Sequence, residues 1–299
     1  MTSKRVGFVG LGLMGAPMAA NIAEAGWVVK AWNRSEAVFE GLAGISRVGT
    51  VAQLRDEPAI VFMLPDLPFI ESAAEGLLDA WGSEPPQPGT AVVIMSSVSP
   101  TDVRQFGERV HQASGGNAVV VDAPVSGGTI GAENGTLAIM AGASEADFER
   151  LQPLLETMGT TVRRMGPLGS GSLAKACNQL IVGTTTAALA EAAELAERSG
   201  MDVAALYEVL AGGLAGSRVL EIVGPRLAAK DYAPTGPAKF MHKDLAFVIQ
   251  SAESVGSPVP MASAAIELYG ELKRQGLGDQ DLAVVRQAIA NLAMSSAAN

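Results

Sequence analysis

Hydrophobic residues divide the chain into two halves that follow different patterns. In the first half, short apolar segments alternate with stretches whose hydrophobic residues recur at helical spacing. This alternation predicts a parallel sheet that helices cover on both faces. The predicted strands are Arg5–Gly10, Trp27–Trp32, Ala59–Leu64, Ala91–Met95, Ala118–Asp122 and Thr136–Met140, and the first predicted helix is Ala16–Ala25.

After Gly166 the strand pattern stops, and the apolar spacing is helical to the end of the chain. The first helix of this half is about 30 residues long and spans about 45 Å, which is more than one compact domain usually needs. We therefore expect it to be shared by two domains. The predicted helices are Gly169–Gly200, Asp202–Ala211, Ser217–Ala229, Ala238–Val255, Pro260–Gln275 and Asp279–Ser295.

A glycine-rich turn joins the first predicted strand to the first predicted helix. In such a motif Gly10 makes a tight turn, Gly12 lets the backbone approach a pyrophosphate, and Gly15 lets helix and strand pack closely. The helix start adds free N–H groups and the positive end of the helix dipole. We predict dinucleotide binding by Gly10, Gly12, Leu13, Met14 and Gly15. An ordinary strand–helix turn is the alternative.

The predicted fold is an α/β Rossmann-type doubly wound domain over residues 1–166, followed by an all-helical domain over residues 167–299. The long helix joins the two domains. We expect the first domain to bind NADP(H) and the second to carry substrate-binding and dimerisation surfaces.

The end of the second predicted strand bears on the choice of cofactor. NAD-binding proteins usually place an acid about 20 residues after the glycines, whereas an arginine accommodates the 2′-phosphate of NADP. This chain has Asn33, Arg34 and Ser35 at that point, and the Arg34 guanidinium suits a phosphate. We predict that these three residues bind the cofactor and that NADP(H) is preferred over NAD(H). A solvated loop arginine is the alternative.

Two further strand ends belong to the predicted site, because ligands of such sheets bind beyond the carboxyl ends of the strands. We expect Leu64, Pro65 and Ser97 to lie beside the cofactor, unless they only form turns. Ser126, Gly127 and Gly128 follow another strand, and their backbone N–H groups and hydroxyl suit a carboxylate. A plain glycine-rich connection is the alternative for these three.

Two lysines stand out in the helical half. Lys175, Asn178 and Gln179 are three and four residues apart, so they share one side of the long helix, where they suit a cleft. Lys243 interrupts an otherwise apolar helix. We interpret Lys243 either as a salt-bridged surface residue or as a contact for the substrate carboxylate or the cofactor.

Charge and composition exclude several classes of partner. The 21 Lys and Arg against 31 Asp and Glu give a net charge of −10, which argues against binding of nucleic acid or of an anionic membrane surface.

The cysteine and histidine content bears on metal binding and location. One cysteine and two distant histidines predict no metal site, and the single cysteine also predicts a cytoplasmic location. The glycines after Arg5 indicate a buried strand and turn rather than a signal peptide, and we expect no membrane-spanning segment. The alanine-rich helical half suggests a homodimer or homotetramer.

Several separated segments of the chain resemble the β-hydroxyacid dehydrogenase family. They are Gly7–Met18, Met63–Asp66, Asp122–Gly128, Gly169–Asn178 and Lys243–Leu245. The segments occur in the order of the family, and the resemblance extends over nearly the whole chain. The glycine turn at 212–217, the run 242–245 and the region 276–278 look most like the tartronate semialdehyde reductase branch.

This resemblance implies roles for single residues. It makes Lys175 the catalytic residue, places Asn178 beside the substrate, and assigns Ser97 and Lys243 to the cofactor. It assigns the substrate carboxylate to Ser126, Gly127 and Gly128. The implied reaction interconverts a small carboxylate-bearing aldehyde and its hydroxy acid by hydride transfer from the nicotinamide, with Lys175 as general acid or base.

Two alternatives remain open at this point. One is an imine or ketone reductase on the same fold, although imine reductases generally replace the lysine that this chain keeps as Lys175. The other is a non-catalytic NADP(H)-binding module, which does not need that lysine.

Overall fold

The computed structural model describes the backbone of residues 4–297 and the side chains of residues 4–293. The chain forms two compact units, with the boundary between Lys175 and Ala176. Helix α6 (Ser170–Arg198) begins in the first unit and continues in the second. The α/β doubly wound domain, the all-helical domain and the long helix that joins them are thereby confirmed, while the boundary at residues 166 and 167 stays a prediction.

The first unit contains one mixed sheet with helices on both faces. The strands are β1 (Arg5–Val9), β2 (Val28–Trp32), β3 (Ile45–Arg47), β4 (Ala59–Phe62), β5 (Thr90–Ile94), β6 (Ala118–Asp122), β7 (Val125–Ser126), β8 (Leu137–Gly142) and β9 (Gly159–Gly166). Their order in the sheet is β3-β2-β1-β4-β5-β6-β8-β7, and β9 also pairs with β8. The helices are α1 (Gly15–Glu24), α2 (Leu67–Ser83), α3 (Pro100–Ala113), α4 (Gly128–Glu133) and α5 (Glu145–Leu155), with 3-10 turns at Ala37–Gly41 and Val51–Leu54.

The expectation of a purely parallel sheet is wrong at one edge. Strand β8 runs antiparallel to β6 and β7, whereas the pairs from β3 through β6 are parallel. A parallel crossover needs about a dozen residues or more, and the connection from β7 to β8 spans only residues 127–136. The chain therefore turns back there as an antiparallel strand.

Alternate residues of the central strands pack into opposite hydrophobic layers. Val61 of β4 and Val93 of β5 pack with α1 and α5, whereas Ile60 and Ile94 pack with α2 and α3 on the other face. This period of two is what a sheet buried on both sides requires. Because both faces of the sheet are covered, polar groups of the central strands are accessible to solvent only at the strand ends.

The second unit is built from helices around a separate hydrophobic core. They are the remainder of α6, α7 (Val203–Ala211), α8 (Arg218–Ala229), α9 (Lys239–Val255), α10 (Pro260–Arg274), a 3-10 turn at Leu282–Val284, and α11 (Val285–Ala297). The last helix starts later than the predicted residue 279. Asp281 accepts the N–H of Ala283 at 3.0 Å and thereby caps the 3-10 turn that comes first.

A buried ion-pair network links helices of the second unit. The Arg286 side chain is 1% exposed, and its guanidinium lies 2.9 Å from Glu194 and 2.8 Å from Glu197. It also donates to the carbonyl oxygen of Leu227 at 2.5 Å. Within residues 4–297, no helix combines the length and the apolar composition that a membrane span requires.

Candidate active site

Close contacts fix the glycine turn between β1 and α1. Gly10 has φ +98°, and a Cβ on it would lie 2.3 Å from the carbonyl oxygen of Met63. A Cβ on Gly15 would lie 1.9 Å from the carbonyl oxygen of Gly10. A Cβ on the exposed Gly12, in contrast, would have no heavy atom within 4 Å. The turn is tightly packed on the protein side and open at Gly12.

The start of α1 adds hydrogen-bond donors to this opening. Met14 stands at the N-cap position, and its side chain makes no capping hydrogen bond. The neighbouring Leu13 is 66% exposed. Backbone N–H groups at a helix start next to an unobstructed glycine are the arrangement that a pyrophosphate needs. The residues of this turn therefore fit a dinucleotide.

Asn33, at the end of β2, braces the glycine turn. Its Oδ1 accepts the N–H of Leu11 at 2.9 Å, and its Nδ2 donates to the carbonyl oxygen of Ser35 at 2.9 Å. Arg34 and Ser35 are exposed beside it. The Asn33 side chain thus holds the turn in shape, and the predicted contacts of all three residues with the cofactor stay predictions.

The ends of β4 and β5 meet the same turn. The Ser96 hydroxyl accepts the N–H of Leu64 at 3.0 Å, and Leu64 Cδ2 lies 2.7 Å from the Cβ position of Gly10. Pro65 is exposed and Ser97 is half-buried at these strand ends. The predicted cofactor residues at the ends of β1, β2, β4 and β5 therefore share one edge of the sheet.

The predicted carboxylate-binding segment is more ordered than a loop. Ser126 belongs to β7 and pairs with Ala138 of β8, so this residue lies in a short strand rather than in a connection between strands. Gly127 and Gly128 follow with φ +138° and +62°, and both are exposed. Asn21 of α1 donates to the carbonyl oxygen of Ala132 at 2.7 Å, which ties α4 to the helix of the glycine turn.

The first turns of α6 carry Lys175 and Asn178, and both side chains are half-buried. Cys177, between them, is exposed. The start of α6 is anchored to β6 through Asp122, which is fully buried and accepts the N–H groups of Gly169 at 2.8 Å and Ser172 at 2.5 Å. Burial raises the pKa of the Asp122 carboxyl, and these hydrogen bonds oppose that rise.

Lys243 lies on α9 in an aromatic and acidic environment. Its Nζ is 5.4 Å and 5.6 Å from the ring centroids of Phe240 and Phe247, and 3.8 Å from Asp244 Oδ1. Asp244 is 5% exposed and accepts from Gln179 of α6 at 2.7 Å. Lys243 is therefore held by two rings and a carboxylate, and its contact with the cofactor stays a prediction.

Two residues that hold the site were not among the predicted site residues: Asp122, the first residue of the segment Asp122–Gly128, and Asn21. The signal for Asp122 was an acid directly after four apolar residues of a predicted strand, because a carboxylate buried with its strand requires hydrogen-bond partners. Asn21 offered no comparable signal, since its partner is a backbone carbonyl in another helix. Among the residues with described side chains, no cluster of His, Cys, Asp or Glu can hold a metal ion.

Comparisons with known proteins cover nearly the whole chain. Residues 5–166 match the NAD-binding domain of 6-phosphogluconate dehydrogenase, and residues 169–289 match the NAD-binding domain of NADP-dependent 3-hydroxyisobutyrate dehydrogenase. The chain is 35% identical to the 2-hydroxy-3-oxopropionate reductase of Escherichia coli K12, over 95% of this chain and 97% of that protein. It is 33% identical to the NAD-dependent L-serine dehydrogenase of Pseudomonas aeruginosa, over 95% and 97%.

A solved structure agrees with these matches. The crystal structure of 3-hydroxyisobutyrate dehydrogenase from Salmonella typhimurium superposes with a TM-score of 0.84 at 28% identity, covering 95% of this chain and 99% of that one. These three proteins are named as a reductase or dehydrogenases of small oxo or hydroxy acids and are 28–35% identical to this chain, whereas the imine reductases of similar fold are 19–20% identical. This difference favours a dehydrogenase over an imine reductase, and the enzyme names favour it over a non-catalytic module. This chain belongs to the β-hydroxyacid dehydrogenase family and is an NAD(P)-dependent hydroxyacid dehydrogenase.

Proposed function

We propose that this chain is an NADP(H)-dependent reductase that interconverts 2-hydroxy-3-oxopropionate (tartronate semialdehyde) and its hydroxy acid. The observation that carries the proposal is the 35% identity to the reductase of that name along 95% of the chain. The relative from Pseudomonas aeruginosa is named for L-serine and NAD, so both substrate and cofactor need a direct test.

Each candidate residue has a role in the proposed mechanism. The bound nicotinamide supplies the hydride. The N–H groups of the turn Gly10–Gly15 hold the pyrophosphate at the start of α1. Ser126, Gly127 and Gly128 bind the substrate carboxylate and thereby orient the aldehyde carbon.

Lys175 moves the proton in this mechanism. In reduction its ammonium donates a proton to the carbonyl oxygen, and in oxidation its neutral amine accepts the proton of the hydroxyl. Asn178, one turn further along α6, orients the reacting oxygen. Lys243 contacts the cofactor, and its position against Phe240 and Phe247 keeps its ammonium partly shielded from water.

The preference for NADP(H) rests on the end of β2. Arg34 and Ser35 are exposed there, and the nearest acid, Glu36, is paired with Arg47 of β3. An exposed guanidinium offers the fork of donors that a 2′-phosphate accepts. Leu64, Pro65 and Ser97 complete the cofactor contacts at the ends of the neighbouring strands.

The decisive experiment is a spectrophotometric screen of NADPH oxidation against tartronate semialdehyde, succinic semialdehyde, glyoxylate and methylmalonate semialdehyde, repeated with NADH. We expect the highest kcat/KM with tartronate semialdehyde and NADPH. The variant Lys175→Ala should retain NADPH binding and lose turnover by orders of magnitude. Lys239→Ala, at an exposed lysine paired with Asp279, is the matched control. Near-normal kcat in Lys175→Ala would remove that residue from the mechanism.

Assembly as a homodimer or homotetramer is part of the proposal. Large apolar side chains are exposed along α6, among them Leu173 (43%), Ile181 (63%) and Leu195 (71%). Such surface is usually covered in an assembly. Light scattering coupled to size-exclusion chromatography measures the subunit number, and a monomer would contradict this part of the proposal.

A further inference from the structure

Asp122 takes no part in the mechanism above, although it is a fully buried acid next to the catalytic helix. Both of its oxygens face the start of α6. Oδ1 lies 2.8 Å from the backbone nitrogen of Gly169, and Oδ2 lies 2.5 Å from that of Ser172. One carboxylate therefore satisfies two of the N–H groups that the start of a helix leaves without an intrahelical partner.

This carboxylate replaces a local helix cap. Gly169 precedes the first residue of α6 and has no side chain with which to cap it. The N–H of Ser170 is bonded to the carbonyl oxygen of Pro167 at 3.0 Å, so the turn itself satisfies a third donor. A negative charge at this point also interacts favourably with the positive end of the helix dipole.

Backbone contacts leave the helix start no room to move sideways. A Cβ on Gly171 would lie 2.2 Å from the carbonyl oxygen of Met140 and 2.6 Å from that of Asp122. A Cβ on Gly142 would lie 2.1 Å from Asp122 Oδ1. The end of β6, the end of β8 and the first turn of α6 thus pack backbone against backbone around the Asp122 side chain.

Lys175 follows Ser172 by three residues, which is close to one helical turn, so a shift of the first turn moves Lys175 as well. We propose that Asp122 is a positioning residue for Lys175: by holding the N–H groups of Gly169 and Ser172, it fixes the axial position and rotation of the helix that carries the amine. The inference rests on the proposed function, because the position of Lys175 matters only if this residue transfers the proton.

The test compares Asp122→Ala and Asp122→Asn with a matched control. Asp281→Ala removes another buried carboxylate that caps a helical turn. Asp281 lies in the second unit, where it pairs with Arg226 of α8. Hydrogen exchange of the peptide that contains residues 169–175 reports the helix start directly. NADPH affinity, and kcat and KM for tartronate semialdehyde with NADPH, report function.

We expect Asp122→Ala to speed exchange at the start of α6 and to lower kcat about 10- to 100-fold, the effect of a displacement near 1 Å at a catalytic group. The Kd for NADPH should stay within about twofold, because the glycine turn is unchanged. Asp122→Asn keeps one acceptor oxygen but turns its amide NH2 toward the other backbone N–H, so it should also speed exchange at the start of α6 and lower kcat. Asp281→Ala should lower Tm without changing kcat or exchange at residues 169–175.

Two results would overturn the inference. The first is a kcat of Asp122→Ala that equals that of the wild type. The second is a loss of kcat in Asp281→Ala as large as that in Asp122→Ala, when the two variants have lost the same amount of Tm. If Asp122→Ala does not fold, Asp122→Asn carries the same test. Lys175→Ala in the same assay separates the two proposals. Turnover by Lys175→Ala refutes the proposed mechanism. If Lys175→Ala is inactive and Asp122→Ala is fully active, only the positioning role of Asp122 is refuted.

Discussion

Replacing Gly12 by alanine separates the binding role of the glycine turn from its structural role. No heavy atom lies within 4 Å of the Cβ position, and the φ of Gly12 is not in the left-handed region. The variant should therefore fold without strain. A glycine-to-alanine change at such a position stabilises a protein by about 0.4–1 kcal/mol, because it restricts the unfolded chain.

The same methyl group blocks the side from which the pyrophosphate approaches. A hydrogen bond to a charged group is worth about 1.5–3 kcal/mol. Because about 1.4 kcal/mol corresponds to a factor of ten, losing one such bond weakens NADPH binding about 10- to 150-fold. We therefore expect Gly12→Ala to raise the Kd for NADPH while leaving Tm equal to or above that of the wild type.

Gly15→Ala should behave differently. Its Cβ would lie 1.9 Å from the carbonyl oxygen of Gly10, whereas ordinary contact begins at 3.4 Å, so β1 and α1 must separate by about 1.5 Å. Overpacking of this kind costs about 1–3 kcal/mol. Both Tm and NADPH affinity should fall, because the helix start that binds the phosphates moves.

Tm without cofactor, by differential scanning fluorimetry, and the Kd for NADPH, by titration calorimetry, distinguish these outcomes. Gly82→Ala, at an exposed glycine of α2 with no atom within 4 Å of its Cβ position, is the matched control for a glycine-to-alanine change remote from the turn. A wild-type Kd in Gly12→Ala would show that the pyrophosphate does not pass over Gly12, and the assignment of the turn would be wrong.

Three further predictions concern the cofactor, the second core and acid stability. Arg34→Asp should raise the KM for NADPH at least about tenfold with little change for NADH, and equal effects on both would remove Arg34 from the site. Arg286→Ala removes a buried cation and leaves the buried Glu194 only its longer contact of 3.5 Å with Arg198. It should cost about 3–5 kcal/mol in urea unfolding, whereas a loss of less than about 1 kcal/mol would indicate a solvated network. Asp147 has a lowered pKa, since hydrogen bonds from Ser144 and Arg150 outweigh its burial. Its contribution to stability is therefore present above the pKa of the unfolded chain and lost as pH falls through the folded pKa, so wild type and Asp147→Asn should converge in urea unfolding at low pH.

The sequence predicted the elements whose signal is local. Strand β1 and helix α1 appear because an apolar run, a glycine turn and a helical period follow one another directly. Strand β9 was not predicted, because its residues Gly159–Gly166 are mostly exposed and polar and form no continuous apolar segment. Strands β3 and β7 contain too few residues to show a period.

The contacts that hold the site together join residues that are far apart in sequence. Asp122 accepts from Gly169 across 47 positions, and Asn33 accepts from Leu11 across 22 positions. The residue types at Asn33 and Asp122 were visible, but their partners are backbone N–H groups, which every residue except proline possesses. The residue type of the partner therefore does not indicate that its backbone accepts or donates such a hydrogen bond, and the bond becomes visible only in the structure.

The exposed Cys177 makes helix α6 easy to label. It is the chain's single thiol, and it stands two residues beyond Lys175, about 200° further round the helix. A maleimide dye would attach at this one position without prior mutagenesis, on the side of α6 turned away from the amine. Its emission would report on the surroundings of α6 during turnover. Unlabelled preparations should be stored with a reductant to keep the thiol from oxidising.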